Sequence, residues 1–130
     1  MPLTRIDLRR GKSAAYLTAL TEGIYHAMRE TFDVPEDDLF TVINEHDEAT
    51  FACSKGYLGI ARTDDLIVVQ ITCNNTRTVQ KKMALYKGIA ERLSQNPGLR
   101  PEDIFINLVE VAPENWSFGN GLAQYAQFEP

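Results

Sequence analysis

Residues 35–45 read Pro-Glu-Asp-Asp-Leu-Phe-Thr-Val-Ile-Asn-Glu, and residues 101–110 read Pro-Glu-Asp-Ile-Phe-Ile-Asn-Leu-Val-Glu. Each stretch begins with a Pro-Glu-Asp turn and continues into the apolar, β-branched residues that are typical of a strand. The chain therefore carries an internal repeat, and its two copies predict where two of the strands begin.

A strand and a helix are predicted ahead of each copy. Residues 3–8 alternate like a strand, and residues 66–73 have the nearly continuous apolar character of a central strand. Ser13 and Thr78 are the expected helix N-caps. Apolar residues at spacings of three and four predict the buried helix faces; they are Leu17, Leu20, Ile24, Ala27 and Met28 in the first helix, and Val79, Met83, Tyr86, Ala90 and Leu93 in the second.

The repeated strand-helix-strand unit predicts an α/β (α+β) fold in one domain spanning residues 1–130. Each unit favours a right-handed crossover and a parallel strand pair. Two units, over approximately residues 2–45 and 66–111, then form a four-stranded mixed sheet with both helices on one face, followed by an aromatic tail at residues 112–130. The competing arrangement is a ferredoxin-like fold, in which the strands of the two units interleave. In the first arrangement the other sheet face is bare and apolar, which predicts a homo-oligomer.

Composition limits the class of protein. The chain has 130 residues, of which 44% are hydrophobic and 24% charged, and a net charge of −5 argues against nucleic acid as a partner. The longest aliphatic run, residues 66–69, is far shorter than the roughly 20 apolar residues of a membrane span. No secretory signal is recognisable at the N-terminus, so a cytoplasmic location and no membrane contact are expected. Cys53 and Cys73 are expected to be buried or half-buried free thiols, and no metal site is predicted.

Three residues far apart in the sequence converge in the predicted sheet. If the first strands of the two units pair antiparallel, Pro2 lies beside residues 73–77, and Asp38 lies beside the start of the first strand. Arg77 follows a strand and precedes a helix, so it can hold an acidic substrate. Removal of Met1 would give Pro2 a secondary amine with a reference pKa of about 8, which is usable as an acid or a base.

Together with the repeat, several short motifs resemble the tautomerase superfamily, and within it the malonate semialdehyde decarboxylase-like family. The matching motifs are Pro2-Leu3 with Asp7-Leu8, residues 32–35 leading to Asp38, Arg77 with residues 80–81 and 86–87, and Trp-Ser-Phe-Gly at residues 116–119 with Gly121. The resemblance covers nearly the whole chain.

The resemblance implies a homotrimer and a catalytic set of Pro2, Asp38 and Arg77 that needs no metal or organic cofactor. It implies a substrate-binding wall of Trp116, Phe118 and Tyr125, with Arg77 binding the carboxylate. The decarboxylase pattern has an Arg-Pro-Arg run where this chain reads Cys-Asn-Asn-Thr-Arg at residues 73–77. Asn75, or Asn74, therefore stands in place of the first arginine, and Asn75 is expected to be a substrate-binding residue.

The resemblance implies decarboxylation of malonate semialdehyde to acetaldehyde and carbon dioxide, with possible additional hydratase activity. The loss of the first arginine leaves three alternatives open. These are a 2-oxo acid tautomerase of the phenylpyruvate type, a haloacrylate dehalogenase or hydratase, and a catalytically idle trimer that only binds ligands.

Overall fold

The computed structural model describes residues 2–126, which form one mixed sheet and two long helices. The elements follow in the order β1 (Leu3–Arg9), α1 (Ala14–Phe32), β2 (Thr41–His46), β3 (Ile67–Asn74), α2 (Val79–Gln95) and β4 (Ile104–Val111). Met1 and residues 127–130 lie outside the described residues. The predicted removal of Met1 and the last part of the predicted aromatic tail, which includes Phe128, therefore stay predictions.

The strand order in the sheet is β2-β1-β3-β4. β1 is parallel to β2, β3 is parallel to β4, and the two central strands β1 and β3 are antiparallel. This confirms the predicted fold of two tandem strand-helix-strand units. The parallel pairing inside each unit rules out the ferredoxin-like alternative, in which strands of the two units interleave.

Both helices begin at the predicted caps. The Ser13 hydroxyl accepts a hydrogen bond from the Tyr16 amide at 3.1 Å, and the Thr78 hydroxyl accepts one from the Lys81 amide at 3.2 Å. Each bond satisfies one of the amides that have no partner within the first helical turn. α1 ends where Asp33 adopts a left-handed conformation with a φ of 55°.

The core lies between the helices and one face of the sheet. Alternate residues of β1 and β3 point into it, because successive side chains of a strand face opposite sides. The fully buried large side chains are Ile6, Leu8, Leu20, Ile24, Met28, Phe32, Ile67, Val69, Ile71, Leu85, Ile89 and Leu93. The predicted apolar face of α1 is confirmed, with Leu17 at its half-buried margin.

The predicted buried face of α2 is confirmed at Leu93 but wrong at Val79 and Met83, which are each 63% exposed. Leu85 and Ile89, which were not predicted, have no exposed surface. α2 carries apolar residues on two sides, and a spacing of three and four fits either side. Only packing against α1 and the sheet decides which side is buried.

The first repeat also enters its strand later than predicted. β4 begins three residues after Pro101, but β2 begins at Thr41, six residues after Pro35. The backbone between Pro35 and β2 includes Asp37 with a φ of 72°, which is not compatible with a strand. Asp38 therefore lies in a connecting segment and not within β2.

The sheet face opposite the helices is uncovered, as predicted, but it is only partly apolar. Phe105 and Val42 are 46% and 41% exposed there. Between them, the Gln70 side-chain amide donates a hydrogen bond to the Asn107 side chain at 3.1 Å. We call this surface the open face. In the part of the chain that the structure describes, no helix is long and apolar enough to cross a membrane.

Replacing Leu85 by alanine should lower the free energy of unfolding by about 2 to 5 kcal/mol, because it removes a fully buried side chain and leaves a cavity. Met83→Ala is the matched control on the same helix, and its effect should stay within about 0.5 kcal/mol because Met83 is exposed. Urea unfolding of both variants measures the difference. Equal losses would contradict the assignment of the buried face.

Candidate functional site

The candidate site lies at the edge of the sheet where β1 and β2 begin and β3 ends. Leu3 lies opposite Thr72 in the antiparallel pair, so Pro2 comes next to Cys73. The Thr4 amide donates a 2.9 Å hydrogen bond to the Phe40 carbonyl, which brings the segment before β2 to the same edge. The structure thus brings together the three chain segments that hold Pro2, Asp38 and Arg77.

Pro2 is buried and lines a cavity of about 210 Å³. The other residues around the cavity are Leu3, Phe40, Trp116, Ser117 and Phe118. Trp116 and Phe118 were predicted from the sequence as part of an aromatic wall. Phe40 was not, although its position directly before β2, the parallel partner of β1, places it beside the start of β1.

Asp38 has a buried carboxylate oxygen with no protein hydrogen bond. Its Oδ1 has no hydrogen-bond partner among residues 2–126. Burial raises the pKa of Asp38, and the nearby positive charge of Arg77 acts in the opposite direction. A buried acceptor without a partner costs stability. A carboxyl group in that condition is available to a ligand.

Arg77 is held in place by the end of α1. One Arg77 Nη donates a 3.0 Å hydrogen bond to the carbonyl of Phe32, and the guanidinium carbon lies 4.7 Å from the centre of the Phe32 ring. The carbonyls at a helix C-terminus carry partial negative charge, which suits a cation. Arg77 has further N–H donors in its planar fork with which to bind an anion.

The aromatic segment, residues 116–125, forms a stacked wall. The rings of Trp116 and Phe118 are 5.4 Å apart and inclined at 19°, and Tyr125 meets Phe118 edge-on at 4.8 Å. Burial and the neighbouring Asp38 carboxylate raise the pKa of the Tyr125 phenol, while Arg77 lowers it. The three aromatic residues predicted from the sequence therefore lie together, and Tyr125 lies close to Asp38 and Arg77.

The turn inside the aromatic segment is held by Gln124. Its side-chain oxygen accepts from the Phe118 amide at 2.9 Å, and its side-chain nitrogen donates to the Gly119 carbonyl at 3.0 Å. Gly119 and Gly121 have φ values of 142° and 68°, which favour glycine. The Gly-Asn-Gly sequence thus serves the sharp turn that brings Tyr125 back onto Phe118.

Asn74 is the last residue of β3 and Asn75 follows it, and the side chains of the two asparagines have different surroundings. The Trp116 indole N–H donates a 2.7 Å hydrogen bond to Asn74 Oδ1. Asn75 has an exposed side chain, and its backbone amide donates to the Val111 carbonyl at 3.0 Å. Of the two, Asn74 is the one whose side chain contacts the wall of the cavity.

Other groups singled out from the sequence lie elsewhere or do not form a site. His46 pairs with Asp7 at 2.6 Å near the opposite end of β1. Among residues 2–126, no three His, Cys, Asp or Glu side chains are arranged to hold a metal ion. Both cysteines are free; Cys73 is buried, but Cys53 is exposed, so the expectation that it is at least half-buried is wrong. Its segment, residues 52–61, lies on the surface and does not enter the core.

Comparison with known proteins gives matches over the whole fold. Two family models described as tautomerase enzyme match residues 38–119 and 2–57. The chain is 44% identical to a probable tautomerase, YusQ, of Bacillus subtilis over 95% of this chain and 98% of that protein. It superposes on a malonate semialdehyde decarboxylase, studied for decarboxylase and hydratase activities, with a TM-score of 0.89 and 27% identity over 95% of both chains. A second solved structure, FG41 malonate semialdehyde decarboxylase inhibited by 3-bromopropiolate, is 31% identical over 95% of this chain and 93% of that one, with a TM-score of 0.88.

Asp38→Asn should raise the free energy of unfolding at neutral pH, because burial raises the pKa of Asp38 and disfavours its charged form in the fold. The folded carboxyl group binds its proton more tightly than the unfolded one. The wild-type protein therefore loses stability as the pH rises from the ordinary aspartate range through the raised pKa. The stability advantage of Asp38→Asn should grow over that interval and stay constant above it.

Urea unfolding at intervals between about pH 3 and about pH 8 measures this dependence. Asp37→Asn is the control, because Asp37 is the exposed neighbour of Asp38 in the same segment. A pH-independent difference between wild type and Asp38→Asn would contradict the prediction.

Proposed function

The chain belongs to the tautomerase superfamily, and we propose that it uses Pro2 as an amino-terminal catalytic group to decarboxylate a small 3-oxo acid, malonate semialdehyde. One observation carries the proposal. Pro2 lines an aromatic-walled cavity at the sheet edge that also holds Asp38 and Arg77. Asp38 has a buried Oδ1 with no partner in the described part of the chain, and Arg77 is oriented by the Phe32 carbonyl. The likeness to malonate semialdehyde decarboxylase over 95% of the chain supports it.

The proposal requires the removal of Met1. While Met1 is attached, the Pro2 nitrogen belongs to an amide and is not basic. Once it is free, the secondary amine has an ordinary pKa of about 8 and carries a proton at neutral pH. The carboxylate of Asp38 favours that cation.

Arg77 binds the substrate carboxylate in this mechanism. Its guanidinium is already oriented by the Phe32 carbonyl, so little side-chain entropy is lost when an anion binds. α2 begins immediately after Arg77, and the free amides of its first turn also attract negative charge. A single arginine, near Asp38 and Tyr125, therefore binds the carboxylate.

The Pro2 ammonium donates a hydrogen bond to the aldehyde oxygen and makes the carbonyl an electron sink. When the carboxylate turns out of the carbonyl plane, its bond to the neighbouring carbon is aligned with that sink. As carbon dioxide leaves, the electron pair of the breaking C–C bond moves towards the carbonyl, and the carbonyl oxygen takes the proton of the Pro2 ammonium to give the enol. The enol then takes up a proton from solvent at carbon and returns its hydroxyl proton to Pro2, which gives acetaldehyde and restores the ammonium. A Schiff base on Pro2 would provide the same sink.

The aromatic wall supports this chemistry by excluding water. Trp116 and Phe118 face the cavity with apolar rings, and charge interactions are stronger in such surroundings. Carbon dioxide, which is small and uncharged, is released into the apolar cavity, whose aromatic rings do not bind it. Asp38 keeps Pro2 charged in decarboxylation, and in a hydratase reaction it would activate water.

A homotrimer is part of the proposal. The open face leaves Phe105 and Val42 largely exposed on the side away from the helices. Such a surface is suited to contact with other copies of the chain. The resemblance to the superfamily implies that three copies associate.

A second candidate is the tautomerisation of a 2-oxo acid of the phenylpyruvate type. The replacement of the first arginine by asparagine favours this reaction. A proton shift between the enol and keto forms requires weaker binding of the carboxylate than the cleavage of a carbon–carbon bond does. The likeness to probable tautomerase YusQ supports it as well. In this reaction a neutral Pro2 takes the enol proton and returns it to carbon.

Malonate semialdehyde should give acetaldehyde with the tag-free protein and not with Pro2→Ala, when both are followed side by side by proton NMR. The alanine variant has a primary amine in place of the secondary one and loses the ring that fixes its direction. An intact mass lacking methionine must first establish that Pro2 is free. Phenylenolpyruvate in the same assay tests the tautomerase candidate.

The three outcomes of that assay distinguish the candidate functions. Acetaldehyde from wild type alone supports the decarboxylase. Faster ketonisation of phenylenolpyruvate without acetaldehyde supports the tautomerase. Turnover of neither substrate by a protein with a free Pro2 contradicts both assignments and favours the dehalogenase or hydratase alternative, or a ligand-binding trimer.

Arg77→Ala should lower kcat/KM by roughly tenfold to a hundredfold, because a hydrogen bond to a charged group contributes about 1.5 to 3 kcal/mol. The effect should fall mainly on KM. Lys81→Ala is the control, since Lys81 is an exposed cation one turn further on that pairs with Asp33 at 2.9 Å. An equal loss in both variants would indicate that Arg77 acts only through general surface charge.

A further inference from the structure

The hydrogen bond between Trp116 and Asn74 has a fixed direction. An indole N–H is a donor only, so the group it meets at 2.7 Å must be the amide oxygen of Asn74. The orientation of the Asn74 side chain is therefore determined by its partner, with the NH₂ group on the other side. Asn74 is the last residue of β3, a central strand, so the bond ties the cavity wall to a rigid element.

The wall depends on few other attachments. After β4 ends at Val111, the chain reaches Trp116 through a short turn at residues 113–115. Phe118 stacks on Trp116, and Tyr125 packs on Phe118. Gln124 closes the turn of the aromatic segment on itself, but its two bonds go to residues of the same segment. The Asn74 bond is the side-chain hydrogen bond by which the ring of Trp116 is joined to the sheet.

We propose that Asn74 is a positioning residue that fixes Trp116, and through it Phe118 and Tyr125, over Pro2. This rests on the proposed function for its effect on turnover, but its effect on the position of Trp116 does not depend on any activity. Asn74, one of the two asparagines considered in place of the first arginine, thus has a structural role of its own in the cavity wall. It sets the shape of the cavity and excludes substrates that the fixed wall does not accommodate.

Trp116 is the single tryptophan of the chain, so tryptophan fluorescence reports on the surroundings of that ring alone. Asn74→Leu keeps the number and branching of the side-chain heavy atoms and removes the acceptor. It should move the emission of Trp116 and increase its quenching by acrylamide, because the ring is no longer held against the sheet. Asn75→Leu, which changes the exposed neighbouring amide, should leave both properties unchanged.

Turnover provides the second readout, measured on whichever of the two substrates the wild-type protein converts. Asn74→Leu should lower kcat/KM by about threefold to tenfold, the range expected for one hydrogen bond of ordinary strength. Asn74→Asp retains an acceptor for the indole and should keep the wild-type emission. Its added negative charge should raise KM for an anionic substrate, which separates positioning of Trp116 from binding of the carboxylate.

A double-mutant cycle with Trp116→Phe completes the test. Phenylalanine keeps a ring but has no N–H, so Asn74→Leu in that background should cost nothing further in kcat/KM. Additive losses in the cycle, or unchanged emission and quenching in Asn74→Leu, would overturn the proposal. If the wild type converts neither substrate, the proposed function fails, and the fluorescence of Asn74→Leu, Asn74→Asp and Asn75→Leu still decides whether Asn74 positions Trp116.

Discussion

The antiparallel pairing of β1 with β3 is the constraint from which the rest of this structure follows. Its register, from Leu3 opposite Thr72 to Leu8 opposite Ile67, places the start of one strand beside the end of the other. A slip of one residue would turn Ile6 and Val69 from the core to the open face. The same register brings Pro2 next to Cys73 and leaves Arg77 just beyond it. Core packing and the geometry of the candidate site are therefore specified by one set of backbone hydrogen bonds.

The two repeats use the same turn in opposite ways. In the second repeat, Asp103 is fully buried and accepts hydrogen bonds from both the amide and the hydroxyl of Thr63, at 2.7 and 2.6 Å. In the first repeat, the equivalent Asp37 is exposed, and Asp38 beside it has a buried oxygen with no partner in the described part of the chain. A satisfied carboxylate stabilises its end of the sheet, whereas an unsatisfied one costs stability and is free to act. The asymmetry distinguishes the structural end from the candidate functional end.

Local signals predicted the parts of the structure that depend on neighbouring residues. Ser13 and Thr78 were identifiable as caps because a cap bonds within its own helical turn, and the repeat predicted two strand-helix-strand units. The repeat did not by itself exclude the interleaved, ferredoxin-like strand order, which the pairing of β1 with β2 and of β3 with β4 rules out. The buried face of α2 was not predictable, since Val79 and Leu85 belong to two apolar stripes that only tertiary packing distinguishes. The hydrogen bond from Arg77 to the Phe32 carbonyl was not predicted either. The two residues are 45 positions apart, and every residue has a backbone carbonyl, so the residue type at position 32 does not indicate this bond.

The internal repeat, together with the position of Pro2, limits where a free proline amine can occur in this chain. A chain has one amino terminus, so a protein built from two joined copies of a strand-helix-strand unit can expose one proline amine where two separate units would expose two. The start of β3, which corresponds to the start of β1, is an interior peptide bond and has no amine to offer. Under the proposed function, only the first copy can supply the catalytic amine, and an uncleaved fusion to the front of the chain would leave Pro2 without a basic amine. The second copy supplies no such group, and its Asp103 is instead a buried residue hydrogen-bonded to Thr63.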